Sequence, residues 1–211
     1  MSRCRLIRID THTAYLLWLI DESEKDLLNK LRLTALERAV YSQVTHPCKR
    51  LAWLATRLAL QELCSELNYA YAGLDKDSWG KPRLVGNHGY ISLAHCFPWA
   101  LVAVAKRAPI GIDIQLPHKK LQKVQAKYLN KAEIKESAND VEKLCVYWCA
   151  KEAVYKAYGG RGLSLGQDIS IEPFVKSKQG AIQGKVGMNN YYTIQYNFYE
   201  NYVLAYSQPI K

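Results

Sequence analysis

The first twenty positions have the hydrophobic pattern of extended chain. CRLIRI alternates, AYLLWLI is a continuous apolar run, and Asp10–Thr11 separates them, so segments 3–9 and 12–20 predict a pair of strands. The period then becomes helical. Asp26 to Leu33 is short and amphipathic, and Thr34 to Val44 predicts a second helix with Thr34 as cap and Glu37 at the capping-box position. Pro47 opens a long helix through LAWLATRLALQELCSEL that ends near Asn68, with Trp53, Leu54 and Leu58 expected in the core.

Residues 73–90 are rich in Gly, Asp, Asn and Pro and read as loop. Tyr90 to Leu93 and Ala100 to Ala105 predict strands joined by a short connection containing Pro98, and Ile110 to Ile114 predicts a third. Lys119 to Ser137 is helical and basic. Val141 to Tyr158 is a strong helix closed by Gly159–Gly160. From Ile169 to Tyr206 the pattern alternates, with turns at Lys178–Gly180 and Met188–Asn190. Strands and helices in this order point to an α+β fold with antiparallel strands rather than a doubly wound parallel sheet. No long linker separates the two halves, which are expected to pack as one body.

At 211 residues, 49% of them hydrophobic, the chain can bury a sizeable core. The formal net charge of +10 suggests an anionic partner. The excess is spread widely, with 13 basic against 10 acidic residues up to Ala105 and 16 against 9 after it. It forms no polybasic block and is not interleaved with a stacking surface, so no nucleic-acid partner is expected. Six cysteines, without a CxxC pair, read as reduced and largely buried thiols of a cytoplasmic protein rather than a zinc site. The start, MSRCRLIRID, has the wrong pattern for a signal peptide, and no apolar run is long enough to span a bilayer, so no membrane partner is expected.

Three segments stand out chemically. In Gly111-Ile112-Asp113-Ile114-Gln115, strand alternation places Asp113 and Gln115 on one face and the isoleucines on the other. In Trp148-Cys149-Ala150-Lys151-Glu152-Ala153-Val154-Tyr155-Lys156, Glu152 and Lys156 lie i, i+4 on one face of an otherwise apolar helix. In Trp79-Gly80-Lys81-Pro82, Gly and Pro fix a tight loop from which Lys81 projects as a point charge suited to phosphate; Ile91-Ser92-Leu93-Ala94-His95 follows. Taken singly, a capped strand-end aspartate, a surface ion pair worth about 0.3–0.5 kcal/mol and a structural histidine would explain these residues.

In order and spacing together, GKP at 80–82, ISLAH at 91–95, GIDIQ at 111–115, WCAKEAVYK at 148–156 and GRGLSL at 160–165 resemble the 4′-phosphopantetheinyl transferases of the larger, surfactin-synthetase-activating type. KRLAWLATRLAL at 49–60 resembles the N-terminal helix of that family. The resemblance implies two similar α/β subdomains with antiparallel sheets, 1–108 and 109–211, related by a pseudo-twofold axis, with coenzyme A in the cleft between them. It implies transfer of the phosphopantetheine arm of coenzyme A to a serine of an acyl or peptidyl carrier protein, with Mg²⁺, or Mn²⁺ in its place, as cofactor. The protein would act as a cytoplasmic monomer.

By the same resemblance, Asp113, Glu152 and Gln115 are the metal ligands and Glu152, Lys156 and Asp113 the catalytic set. Arg38, Gly80, Lys81, Pro82, His95, Lys151 and Lys156 contact coenzyme A, with Arg50 and Arg57 as weaker candidates. Lys119, Lys120, Lys123, Lys127 and Lys131 offer a docking edge to an acidic carrier. Two residues depart from the family pattern. Gln115 stands where an acid is usual, and Ala94 where a serine often precedes the histidine. They leave open a relative that holds coenzyme A without transferring it.

Overall fold

The computed structural model describes residues 4–86, 89–160 and 162–210. Arg3 of the first expected strand, Asn87 and His88 of the expected loop, and Arg161 of GRGLSL lie outside the described residues. The chain is α+β and divides into two compact units, Met1–Arg107 and Ala108–Lys211.

In the first unit, β1 (Cys4–Asp10), β2 (Thr13–Leu19), β5 (Tyr90–Cys96) and β6 (Trp99–Ala105) form an antiparallel sheet in the order β1-β2-β6-β5. The order explains the two sequence patterns. β2 and β6 are central and buried along almost their whole length, hence continuous apolar runs; β1 is an edge strand and alternates. α1 (Glu24–Lys30) is capped by Ser23. α2 (Ala35–Ser42) has the full capping box, with Thr34 accepting from the Glu37 N–H and Glu37 accepting from the Thr34 N–H. α3 (Pro47–Glu66) begins at its proline and packs Ala52, Ala55, Leu58 and Ala59 with Ala14, Leu16, Val102 and Val104 of the sheet in one core.

Two expectations change here. The segment 73–90 is not all loop: β3 (Leu74–Lys76) and β4 (Pro82–Leu84) pair as a hairpin, with Leu74 opposite Leu84 and both buried. Three-residue strands are too short to show alternation, and the turn residues around them dominate the local composition. Trp53 is only half-buried: it packs against the edge of this core, with the Arg57 guanidinium over its ring.

In the second unit, β7 (Gly111–Gln115), β8 (Ile169–Ile171), β9 (Gln179–Val186), β10 (Asn190–Tyr199) and β11 (Tyr202–Pro209) form an antiparallel sheet in the order β7-β11-β10-β9-β8. The expected turn near 188–190 is present. A further turn before β11 has Glu200 at φ +51°, and the chain reaches β9 through an irregular stretch rather than a turn at Lys178–Gly180. The expected helix over 119–137 is broken into α4 (Lys120–Val124), a 3₁₀ turn (Gln125–Lys127) and α5 (Lys131–Ser137). The break follows from Asn130, which adopts an extended cap conformation and forms a capping box with Glu133. α6 (Val141–Tyr158) is capped by Asp140 and ends at Gly159 with φ +75°. It lies across β7 and β11. No helix of the described residues is long and apolar enough to cross a membrane.

Each unit is thus an antiparallel sheet with one long helix against it. In the second unit a buried ion pair ties the smaller elements to that helix. The Lys151 Nζ donates to Glu133 Oε2 at 2.6 Å, and Glu133 also accepts from the Asn130 and Ile171 backbone N–H groups. Removing one partner of such a pair strands a buried charge, at about 3–5 kcal/mol. Glu133→Ala should lower the stability of the unit by that order, read as a shifted urea midpoint; a shift below about 1 kcal/mol would deny the pair this role.

Candidate active site

The strand β7 and the helix α6 meet at unusually short range. Gly111 is the reason: a Cβ built on it would lie 1.8 Å from the Ala153 carbonyl oxygen and 2.6 Å from the Ala157 nitrogen. Without a side chain at 111 the helix backbone rests on the strand backbone, and small residues at 153 and 157 complete the seat. Asp113, two residues on, faces the same side as Gly111, so its carboxylate is directed at the next turn of α6. The isoleucines at 112 and 114 are buried on the opposite face.

Asp113 and Lys156 are joined across this contact. Lys156 Nζ donates to Asp113 Oδ1 at 2.7 Å and to the Ile112 carbonyl at 2.9 Å. Glu152 is one helical turn before Lys156 and shares its face. Burial pushes the Asp113 carboxyl above the usual carboxylate range, against the pull of Lys156. Burial also raises Glu152, and the negative charge of Asp113 raises it further, again opposed by Lys156. The three residues therefore form one electrostatic cluster. Two partly desolvated carboxylates repel one another, and a single ammonium offsets them.

Gln115, the third residue expected here, ends the strand half-buried; its side-chain oxygen accepts from the Leu116 N–H at 3.1 Å. Among the described residues no three His, Cys, Asp or Glu side chains group as a metal site. The donors that are present nonetheless fit Mg²⁺. They are hard carboxylate oxygens in excess of the local positive charge, and Mg²⁺ is usually held by one or two carboxylates, the rest of its shell being water and substrate phosphate.

Lys151 has a different position from the one expected. Its side chain is fully buried and its ammonium donates to Glu133, to the Leu165 carbonyl at 2.9 Å and to the Ile169 carbonyl at 2.7 Å. Those three acceptors use all its protons, so it anchors the helix and does not reach a ligand. The sequence carried a signal for this in Asn130 and Glu133, whose capping-box spacing places Glu133 at the start of the neighbouring helix.

The first unit holds the remaining candidates. Gly80 sits at φ +83° in a tight turn whose Asp77 side chain accepts from the Trp79 and Lys81 N–H groups. Lys81 is half-buried there, and desolvation holds its ammonium below the usual lysine range. His95 is exposed near the end of β5, and Arg38 is exposed on α2. Arg50 is committed elsewhere: it forms a two-pronged bond to Glu24 at 3.0 and 2.6 Å and caps the Val44 carbonyl. This bond holds the Glu24 carboxyl down at about 2.

Arg57 stacks on the Trp53 ring at 3.4 Å, and burial pushes its guanidinium down to about 10. Its buried Nε has no hydrogen-bond acceptor. It lines a pocket of about 230 Å³ between α2, α3 and the β3–β4 hairpin, with Leu36, Val40, Trp53, Leu74 and Pro82 as apolar walls.

The close strand–helix seat thus presents two coupled carboxylates and a lysine at one place. Residues 109–207, which include the whole cluster, match the 4′-phosphopantetheinyl transferase superfamily. The matched stretch lies wholly within the second unit. No curated protein matches the chain.

Proposed function

We propose that the protein transfers the 4′-phosphopantetheine arm of coenzyme A to a serine of an apo acyl or peptidyl carrier protein, as an enzyme of the larger, surfactin-synthetase-activating type. The observation that supports this most is the convergence of Asp113, Glu152 and Lys156 at one strand–helix contact inside the matched domain.

Asp113 and Glu152 would hold Mg²⁺, with Gln115 beside them. The cation would supply charge stabilisation on the pyrophosphate oxygens. Glu152 takes the proton of the carrier serine, directly or through water, and its raised pKa brings it closer to the range useful for a base. The serine oxygen then bonds to the β-phosphorus, and the bond from that phosphorus to the bridging oxygen breaks. Adenosine 3′,5′-bisphosphate leaves with the bridging electron pair. Lys156 stabilises the charge that develops on the departing oxygen.

On the nucleotide side, Arg38, Gly80, Lys81, Pro82 and His95 are the contacts proposed for coenzyme A. The pocket beside them supports that assignment. Pro82 lines it, as do Leu36, Glu37 and Val40 from the helix that carries Arg38; its apolar walls suit a planar base, and Arg57 presents an unmet donor at its edge. The exposed lysines of segment 119–131 form the edge proposed for an acidic carrier. The same reading has the protein working as a monomer in the cytoplasm.

The test is a mass measurement. Purified protein with Mg²⁺ and coenzyme A should add one phosphopantetheine mass to at least one apo carrier in a panel. Tight coenzyme A binding with no addition to any carrier would replace the transferase reading with that of a coenzyme A-binding protein.

A further inference from the structure

Lys156 occupies the position in which a cation would be most useful. Its ammonium lies 2.7 Å from Asp113 Oδ1 and is held there by a second bond, to the Ile112 carbonyl at 2.9 Å. Gln115 brings no charge, and its side-chain oxygen is turned to the Leu116 N–H. In the free protein the cluster therefore holds two carboxylates, one of them already neutralised by a resident lysine. A net single negative charge is a poor trap for Mg²⁺, which gives up its water reluctantly.

A pyrophosphate changes both sides of this balance. It brings several negative charges of its own, and it offers Lys156 an acceptor stronger than a single carboxylate oxygen. If the lysine moves to phosphate, Asp113 is released to the metal.

Resting on the functional reading above, we propose that Lys156 is an internal counter-ion that closes the metal position until coenzyme A arrives, so that the divalent cation and the pyrophosphate enter as a unit. Each must then raise the affinity of the other by the same factor, because coupling between two ligands is reciprocal.

The experiment is a titration of the full chain with Mn²⁺, followed by electron paramagnetic resonance, without carrier protein. Wild type should bind Mn²⁺ weakly alone and at least about tenfold more tightly with saturating coenzyme A, within the range typical of coupled sites. Lys156→Met keeps the aliphatic stem and removes the charge. It should bind Mn²⁺ at least about tenfold more tightly than wild type in the absence of coenzyme A, and the enhancement by coenzyme A should shrink. Lys156→Gln serves the same purpose if the methionine variant does not fold. Equal Mn²⁺ affinity in wild type and variant without coenzyme A would overturn the counter-ion role, as would a wild-type affinity that coenzyme A leaves unchanged. Failure of coenzyme A to bind with or without Mn²⁺ would instead defeat the functional reading; the comparison made without coenzyme A would still decide the part played by Lys156.

Discussion

Gly111→Ala is expected to leave little folded and active protein. The new methyl would meet the Ala153 carbonyl oxygen at 1.8 Å and the Ala157 nitrogen at 2.6 Å. Both are helix backbone, so no side-chain rotation relieves the clash. Either α6 lifts from β7 or the strand buckles. Overpacking of a core usually costs about 1–3 kcal/mol, and a backbone clash of this size belongs at the upper end. The effect on chemistry should exceed the effect on stability, because lifting α6 carries Glu152 and Lys156 away from Asp113. Transfer measured per folded molecule, with the folded fraction read by near-ultraviolet circular dichroism, should fall at least about a hundredfold, as misplacement by about 1 Å can cost. A variant that folds and transfers normally would show that the close seat is not what sets the site.

Glu152→Gln should separate function from stability in opposite directions. On the proposed function the variant loses its general base, which typically costs about 10²–10⁴-fold in rate, and a carboxylate proposed to hold the metal. Stability should move the other way. The folded-state pKa of Glu152 is raised above 4.5, mainly by burial and then by Asp113. The folded protein therefore holds this proton more tightly than the unfolded chain does. That contribution is fully present below about 4.5 and is lost as pH rises through the folded-state value. At neutral pH the ionised glutamate is a cost, which glutamine removes. The variant should melt at a higher temperature than wild type at pH 7 in metal-free buffer, with the difference vanishing below pH 4.5. A lower melting temperature at pH 7 would contradict the repulsion between the two acids.

Much of the fold was legible in the sequence wherever one physical signal dominated. α6 runs from Val141 to Tyr158 as expected, because an acidic cap, a long apolar helix and a terminal Gly159 all agree. The capping box at Thr34 and Glu37 and the proline start of α3 are equally local and equally plain. The β3–β4 hairpin was not legible, since its three-residue strands bury only the Leu74–Leu84 pair inside a turn-rich segment. The site followed the same division. The pairing of Asp113 with the Glu152–Lys156 face was suggested by the two motifs together, one on a strand and one on a helix. The separate fate of Lys151 was not suggested, because spacing along one helix does not reveal which neighbour receives each side. Nor did sequence alone show that Gly111 makes the strand–helix seat.

Lys151 and Glu152 are consecutive, so they project about 100° apart around α6. One is gripped by Glu133 and two carbonyls; the other looks toward the strand. Like a shaft pinned by a key, the helix is held against rotation about its own axis by bonds that involve neither 152 nor 156. Residues 152 and 156 can therefore be exchanged, acid for amide or lysine for methionine, with the opposite side of the helix still held by Lys151.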